Sequence, residues 1–219
     1  MTNAFAEISP YGRIRRDMFL YDDGESAATM HQMTRLGGTQ SPSLRDILDE
    51  MMSKSDNFLA EAVLKAMGQD MYGRAGLDSA LLAERRILGQ LGLKTDGVIQ
   101  LRDGSGLART NYVSPAFFVQ FLRTMARQPE YRDFRRTFPQ PGQGTLATRM
   151  SQADPALKKR VYMKSGSMNG VRCFCGYVTP ADGRNENTIV FSLMINNATA
   201  TSAALNPVID QILTAIATQ

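Results

Sequence analysis

Histidine is nearly missing: His31 is the only one in 219 residues. A Ser-His-Asp or Cys-His relay needs an imidazole base, and zinc sites draw on several His or Cys ligands, so both kinds of centre are disfavoured. Cysteine is scarce as well. Cys173 and Cys175 stand two apart on an expected strand, on one face, with Cα atoms near the upper limit for a disulfide. Without histidine neighbours they make a poor zinc site and read as two small buried hydrophobes. No metal or other cofactor is expected. No apolar run approaches the ~18 residues that a bilayer requires. The opening residues, MTNAFAEISPYGRIRRD, lack the apolar core of a secretory signal. The net charge is only +4. Its two basic clusters, Arg13-Ile14-Arg15-Arg16 and Lys158-Lys159-Arg160, are not interleaved with aromatics, so nucleic acid is not an expected partner.

What remains is an ordinary globular composition, 43% hydrophobic and 21% charged, long enough for one domain or a large part of a bigger one. Residues 1–40 are the least readable, with a turn expected at Asp22-Asp23-Gly24 and a strand over Met30 to Leu36. From Ser43 the apolar spacing of Leu44, Ile47, Leu48, Met51 and Met52 predicts an amphipathic helix capped by Ser43. A second helix is expected to start near Ser55 and stop at Gly68, and a third to run from about Leu77 to Leu91. Asp103-Gly104-Ser105-Gly106 reads as a loop. Ser114-Pro115 opens a helix with Phe117, Phe118, Phe121, Leu122 and Met125 on one side, and a short helix is expected at Thr145 to Met150. The last third changes period. Strands at Arg160 to Lys164, Val171 to Thr179 and Thr188 to Asn196 are joined by Ser167-Met168-Asn169-Gly170 and by Pro180-Ala181-Asp182-Gly183-Arg184, which predicts an antiparallel meander. A closing helix is expected over about Ser202 to Ala217. The class is α+β, with helices packed on an antiparallel sheet.

Two short motifs carry chemistry. Ser55-Asp56-Asn57 is, taken alone, a set of helix-capping residues. It could also present a hydroxyl that relays a proton and an amide that holds a substrate carbonyl. Lys164-Ser165-Gly166-Ser167 could be a solvated strand edge. It could equally be a recognition strand for an added peptide, with Lys164 supplying positive charge, Gly166 close approach, Ser165 a carboxylate contact and the Ser167 N–H an oxyanion contact. The third motif that completes such a site, S-x-x-K, is absent. None of the six lysines has a serine three positions before it; Met51, Ala62, Leu91, Pro155, Ala156 and Val161 stand there instead.

The pair of motifs, in company with Gln40-Ser41-Pro42-Ser43-Leu44, Ala60-Glu61-Ala62, Asp103-Gly104-Ser105-Gly106-Leu107, Val113-Ser114-Pro115, Gly144-Thr145-Leu146, Gly170-Val171 and Gly176-Tyr177-Val178, resembles the C-terminal half of a D-alanyl-D-alanine carboxypeptidase/endopeptidase. The type is the class C low-molecular-mass penicillin-binding protein, peptidase family S13. The resemblance covers about residues 38 to 217, and the DGSGL loop and the K-[ST]-G-[ST] strand separate it from β-lactamases. It implies a β-lactamase/transpeptidase-like fold, an antiparallel sheet flanked by helices. Residues 41–219 would form the C-terminal part of the catalytic domain, and 1–40 a segment returning from an absent inserted domain. It implies a serine-type hydrolase that cleaves D-Ala-D-Ala ends or cross-links of peptidoglycan stem peptides through an acyl-enzyme and is acylated by β-lactams.

In that scheme Ser55 shuttles the proton to the leaving amine, Asn57 orients the acyl chain, and Lys164 supports Ser55 and attracts the carboxylate. Ser165 binds that carboxylate across the close approach at Gly166, and the Ser167 N–H forms half of the oxyanion hole. The nucleophile and its lysine are missing with the upstream part of the protein, so this chain is expected to be inactive alone and to pair with that part or to self-associate. Location outside the cytoplasm follows from the resemblance, with no signal peptide in this chain. A different class of reading is a muropeptide-binding or interaction module without catalysis.

Overall fold

The structure, a computed structural model, describes residues 4–7, 13–20, 34–182 and 187–219. Strands β1 (Ala4–Glu7), β2 (Arg13–Leu20) and β3 (Thr34–Ser43) form an antiparallel sheet in the order β1-β2-β3. The strand expected over Met30 to Leu36 is found from Thr34 and continues to Ser43; its first residues and the Asp22-Asp23-Gly24 turn lie outside the described residues. Pro42 fits near the end of β3 because β3 is an edge strand, where a missing N–H breaks no ladder bond.

Ser43 then caps helix α1 (Leu44–Lys54), its side chain accepting from the Asp46 N–H. Helix α2 (Asn57–Tyr72) follows, and α3 (Leu77–Gln90) packs against it. Gly68 does not stop α2 as expected. The helix runs on to Tyr72 and ends at Gly73 in the left-handed region, φ 67°. Gly68 serves packing instead: a Cβ there would lie 2.7 Å from the Ala80 backbone nitrogen, so the glycine is what lets α3 come this near.

Helix α4 (Pro115–Met125) is capped by Ser114, with the proline at its first turn where no N–H is required. After α5 (Tyr131–Arg136) the chain makes a 3-10 turn at Gly144–Leu146, in place of the longer helix expected over Thr145 to Met150, and then α6 (Pro155–Lys158). Strands β4 (Val161–Met168), β5 (Val171–Val178) and β6 (Ile189–Ile195) form the expected antiparallel meander in that order. Met168 pairs with Val171, so the first turn is only Asn169-Gly170, with Gly170 at φ 72°. Ser167 and Met168, expected in the turn, belong to the ladder. In the second connection Gly183 and Arg184 lie outside the described residues. Helix α7 (Ser202–Ala217) closes the chain.

Alternation along the meander sorts its side chains onto two faces. Val161, Met163, Phe174 and Val178 pack with Leu146, Met150 and with Ile209, Leu213 and Ala217 of α7. On the other face Tyr177 is fully buried among Leu122, Tyr131 and Phe138 and donates its hydroxyl to the Leu122 carbonyl at 2.9 Å. Burial of each such large apolar side chain stabilises the fold by about 1.5–3 kcal/mol. The result is a three-layer arrangement, helices on both faces of an antiparallel sheet, as the sequence leads one to expect. No helix among the described residues is long and apolar enough to cross a membrane.

Candidate active site

The first half of the site is a break between two helices. Ser55 was expected to begin α2; it instead ends α1, with φ 55° and ψ 49° and its N–H bonded to the Met51 carbonyl. The cap of α2 is Asp56, whose carboxylate accepts from the Leu59 N–H at 2.9 Å. The left-handed conformation is uncommon for a residue with a side chain and is retained only where surrounding structure enforces it. One enforcing contact is Gly144. It sits at φ 47° so close to the Ser53 backbone that an added Cβ would collide with the Ser53 carbonyl. The chain thus leaves α1 at Ser55, and Asn57 stands exposed at the first turn of α2.

The second half is the edge of a sheet. Lys164 lies on β4 opposite Cys175, and Gly166 opposite Cys173. The Lys164 ammonium donates to the Ser55 Oγ at 2.7 Å and to the Ser165 carbonyl at 2.8 Å. Two motifs 109 residues apart therefore meet in one hydrogen bond. Burial lowers the pKa of Lys164, an effect that the neighbouring Cys175 opposes. A half-buried amine that holds its proton less firmly, bonded to a hydroxyl, is suited to exchange a proton through that hydroxyl. Both cysteines are free. Burial pushes the Cys175 thiol up to about 12, and that of the half-buried Cys173 also rises, so neither is a ready thiolate.

The outer side of β4 is as informative as its face. The Met163 N–H donates outward to the Pro139 carbonyl at 3.0 Å. Backbone groups in an antiparallel strand alternate in direction, so the N–H groups of Ser165 and Ser167 also point away from β5. Gly166 and Ser167 are exposed. The Ser165 hydroxyl lies 2.9 Å from that of Thr145. Residues 165–167 thus offer outward N–H groups and a pair of hydroxyls along one short edge.

A loop buttresses the helical half. Glu61 of α2 accepts from the N–H groups of Gly104 and Ser105, both at 3.0 Å. Burial favours the neutral form of Asp103, but hydrogen bonds from Asn111, Ala108, Gly106 and Ser105 outweigh it and hold its pKa below the ordinary value. Gly104 sits against the Ala60 carbonyl, where a Cβ would approach to 2.8 Å. Behind it Glu84 of α3 is largely buried, and its Oε2 has no hydrogen-bond partner among the described residues. Burial pushes that carboxyl up to about 7, with Arg85 opposing and Asp103 adding to the rise.

Of the residues singled out from sequence, Lys164 meets the Ser55 hydroxyl and the Ser165 backbone carbonyl, while the Ser165 hydroxyl pairs with Thr145. Asn57, two residues after Ser55, and Gly166 and Ser167, further along β4, are exposed. Gly144 and Thr145 enter the sequence reading only as part of a pattern; their contacts to Ser53 and Ser165 join the two halves.

Residues 22–218 match the family model described as D-Ala-D-Ala carboxypeptidase 3 (S13). Over 153 residues the chain is 35% identical to the D-alanyl-D-alanine carboxypeptidase DacB of Haemophilus influenzae, a match that takes in 69% of this chain and 32% of that protein. Over 156 residues it is 34% identical to a D-alanyl-D-alanine carboxypeptidase of an Actinomadura species, covering 68% of this chain and 28% of the relative. Among solved structures it resembles penicillin binding protein 4 (dacB) of Haemophilus influenzae in complex with a β-lactam. There the TM-score is 0.74 and the identity 31%, over 85% of this chain and 44% of that one. The chain spans about a third of the length of these curated relatives.

Proposed function

This chain belongs to the D-Ala-D-Ala carboxypeptidase 3 (S13) family, and from that membership we propose that it supplies the proton-relay and recognition half of a serine acyl-transfer site for peptidoglycan stem peptides ending in D-Ala-D-Ala. The hydrogen bond of 2.7 Å between Lys164 and Ser55 is the observation that carries the reading. The substrate peptide pairs with the outward groups of β4. Its scissile carbonyl lies against the Ser167 N–H, its terminal carboxylate against the Ser165 hydroxyl, and Asn57 orients the acyl chain from the rim of α2.

The attacking serine and its lysine come from an S-x-x-K element outside these residues, since none occurs within them. As that serine adds to the carbonyl, its proton passes to the accompanying lysine and negative charge develops on the oxygen held by the Ser167 N–H. Collapse of the adduct breaks the amide bond, and the departing nitrogen takes a proton through the Ser55 hydroxyl, whose charge balance Lys164 maintains. Water then releases the acyl group. A β-lactam follows the first steps and stays attached. Residues 41–219 act as the C-terminal part of the transpeptidase-like domain, 1–40 as a returning segment, and the protein works outside the cytoplasm, at the wall.

Intact mass after incubation with a penicillin tests this, on the 219-residue chain and on a form extended upstream to carry S-x-x-K. An adduct only on the extended form is expected. An adduct on the short chain would place the reactive serine within it and overturn the assignment. With no adduct on either, the second reading, a muropeptide-binding module, takes over.

A further inference from the structure

Next to the site lies a groove of about 480 Å³ with an unusual lining: Arg45, Arg132, Arg135 and Arg136, one carboxylate, Asp133, and the ring of Tyr162. Volumes of this order hold small ligands rather than single ions. Among the described residues four guanidinium groups line it with one carboxylate, which is already shared: Arg45 bonds Asp133 at 3.0 Å and Arg136 stands 3.9 Å from the same oxygen. Arg132 makes no ion pair among the described residues. Arg135 is held in place by two aromatic faces, with its guanidinium 5.3 Å from the Tyr131 ring centre and 5.0 Å from that of Tyr162. The groove is therefore positively charged and partly preorganised.

Its position relative to β4 gives it a role. Tyr162 is two residues before Lys164 and shares its face. On the reading above, the scissile carbonyl sits at Ser167 and the group beyond it at Ser165, so the leaving side of a substrate travels toward the start of β4. The edge is closed beyond Ser165, because the Met163 N–H is taken by Pro139. A substrate that continues past Ser165 must leave the edge there, and Tyr162, three residues back on β4, belongs to the lining of the arginine groove. From Ser165 to Tyr162 the distance along the strand is about 10 Å.

We propose that this groove is a binding site for the carboxylates of an acidic peptide attached on the leaving-group side of the scissile bond, the second stem of a cross-link. A free terminal D-alanine ends at Ser165 and never reaches it. The leaving amine of a cross-link belongs to another stem peptide, which carries further carboxylates past Ser165 to planar, bidentate donors. The proposal rests on the assignment of Ser165 and Ser167 made above.

The test is calorimetric titration of the chain with four probes: a linear stem peptide ending in D-Ala-D-Ala, its L-Ala-L-Ala counterpart, a cross-linked muropeptide dimer, and that dimer with the carboxylates of its second stem amidated. The intact dimer is expected to bind at least tenfold tighter than the amidated one. The exposed pair Arg132→Glu and Arg136→Glu, checked for unchanged thermal unfolding, should abolish that difference. Equal affinity for intact and amidated dimers would overturn the groove while leaving the site assignment standing. A dimer preference without discrimination between the D and L linear peptides would uphold the groove and sink the assignment on β4.

Discussion

Ser55 and Lys164 meet at 2.7 Å, yet the chain holds them by opposite means. Lys164 is carried on a regular ladder whose register runs unbroken from Val161 to Met168, over a face packed with buried aromatics. Ser55 sits in a left-handed kink between two helices, kept there by a cap at Asp56 and by the close seat of Gly144 on Ser53. One half is held by repetition, the other by a few singular contacts. The comparison teaches where such a site is vulnerable. Changes near Lys164 should alter chemistry without altering the frame, whereas changes well away from Ser55 in sequence should alter both.

The largest expected effect is chemical. In the form that carries S-x-x-K, Lys164→Ala should lower the rate of acylation by a penicillin by about 10²–10³-fold, while thermal unfolding remains cooperative and close to wild type. Unchanged acylation, timed by intact mass, would remove Lys164 from the relay. Gly144→Ala probes the other half. It forces a side chain into a left-handed position and against the Ser53 carbonyl, for an expected loss of about 2–4 kcal/mol on denaturant unfolding together with slower acylation. Stability without change would mean that the kink at Ser55 is held by something else.

Proton titration separates the halves further. The Glu84 carboxyl has a folded pKa raised to about 7 from an ordinary 4.5, so between these values the folded state binds more protons than the unfolded one. Its contribution is fully present below about pH 4.5 and is lost as pH rises through 7. Glu84→Gln should therefore stabilise at pH 8, on the order of 2 kcal/mol, and change little at pH 4. Hydrogen exchange should place the gain in α2, α3 and the Asp103 loop; a gain spread equally over β4 and β5 would dissolve the distinction between the halves. The smallest effect belongs to Asp56→Ala, which removes one cap at a cost of about 1 kcal/mol. The melting point of the variant should fall by a few degrees and its acylation rate should drop less than for Lys164→Ala.

The same division governs what could be read from sequence. The hairpin at Asn169-Gly170, the caps at Ser43 and Ser114 and the alternation of the three final strands are local signals, and the structure follows them. Gly68 reads as a stop in the sequence because a glycine that ends a helix and one that admits a neighbour look alike in one dimension; Ala80, its reason, is twelve residues away. Ser55 was placed at the start of α2 because capping residues do not announce which of two helices they serve. Gly144 against Ser53, and Arg45 beside Arg132, depend on contacts between distant segments that no periodicity encodes. The family resemblance brought the two motifs into one site; it was silent on what holds them there.

The seal of Met163 by Pro139 has a meaning for the molecule when no guest is present. A strand that keeps N–H groups free for a substrate is also a template on which the same strand of another molecule could lie, the first step toward an aggregate. Among the described residues the unpaired stretch is only four residues long, from Ser165 to Met168, bounded by the Pro139 contact at one end and the hairpin turn at the other. Four residues are few for an extended sheet to build on. On the proposed reading, the contact that ends the edge offered to a peptide also shortens the edge offered to another strand.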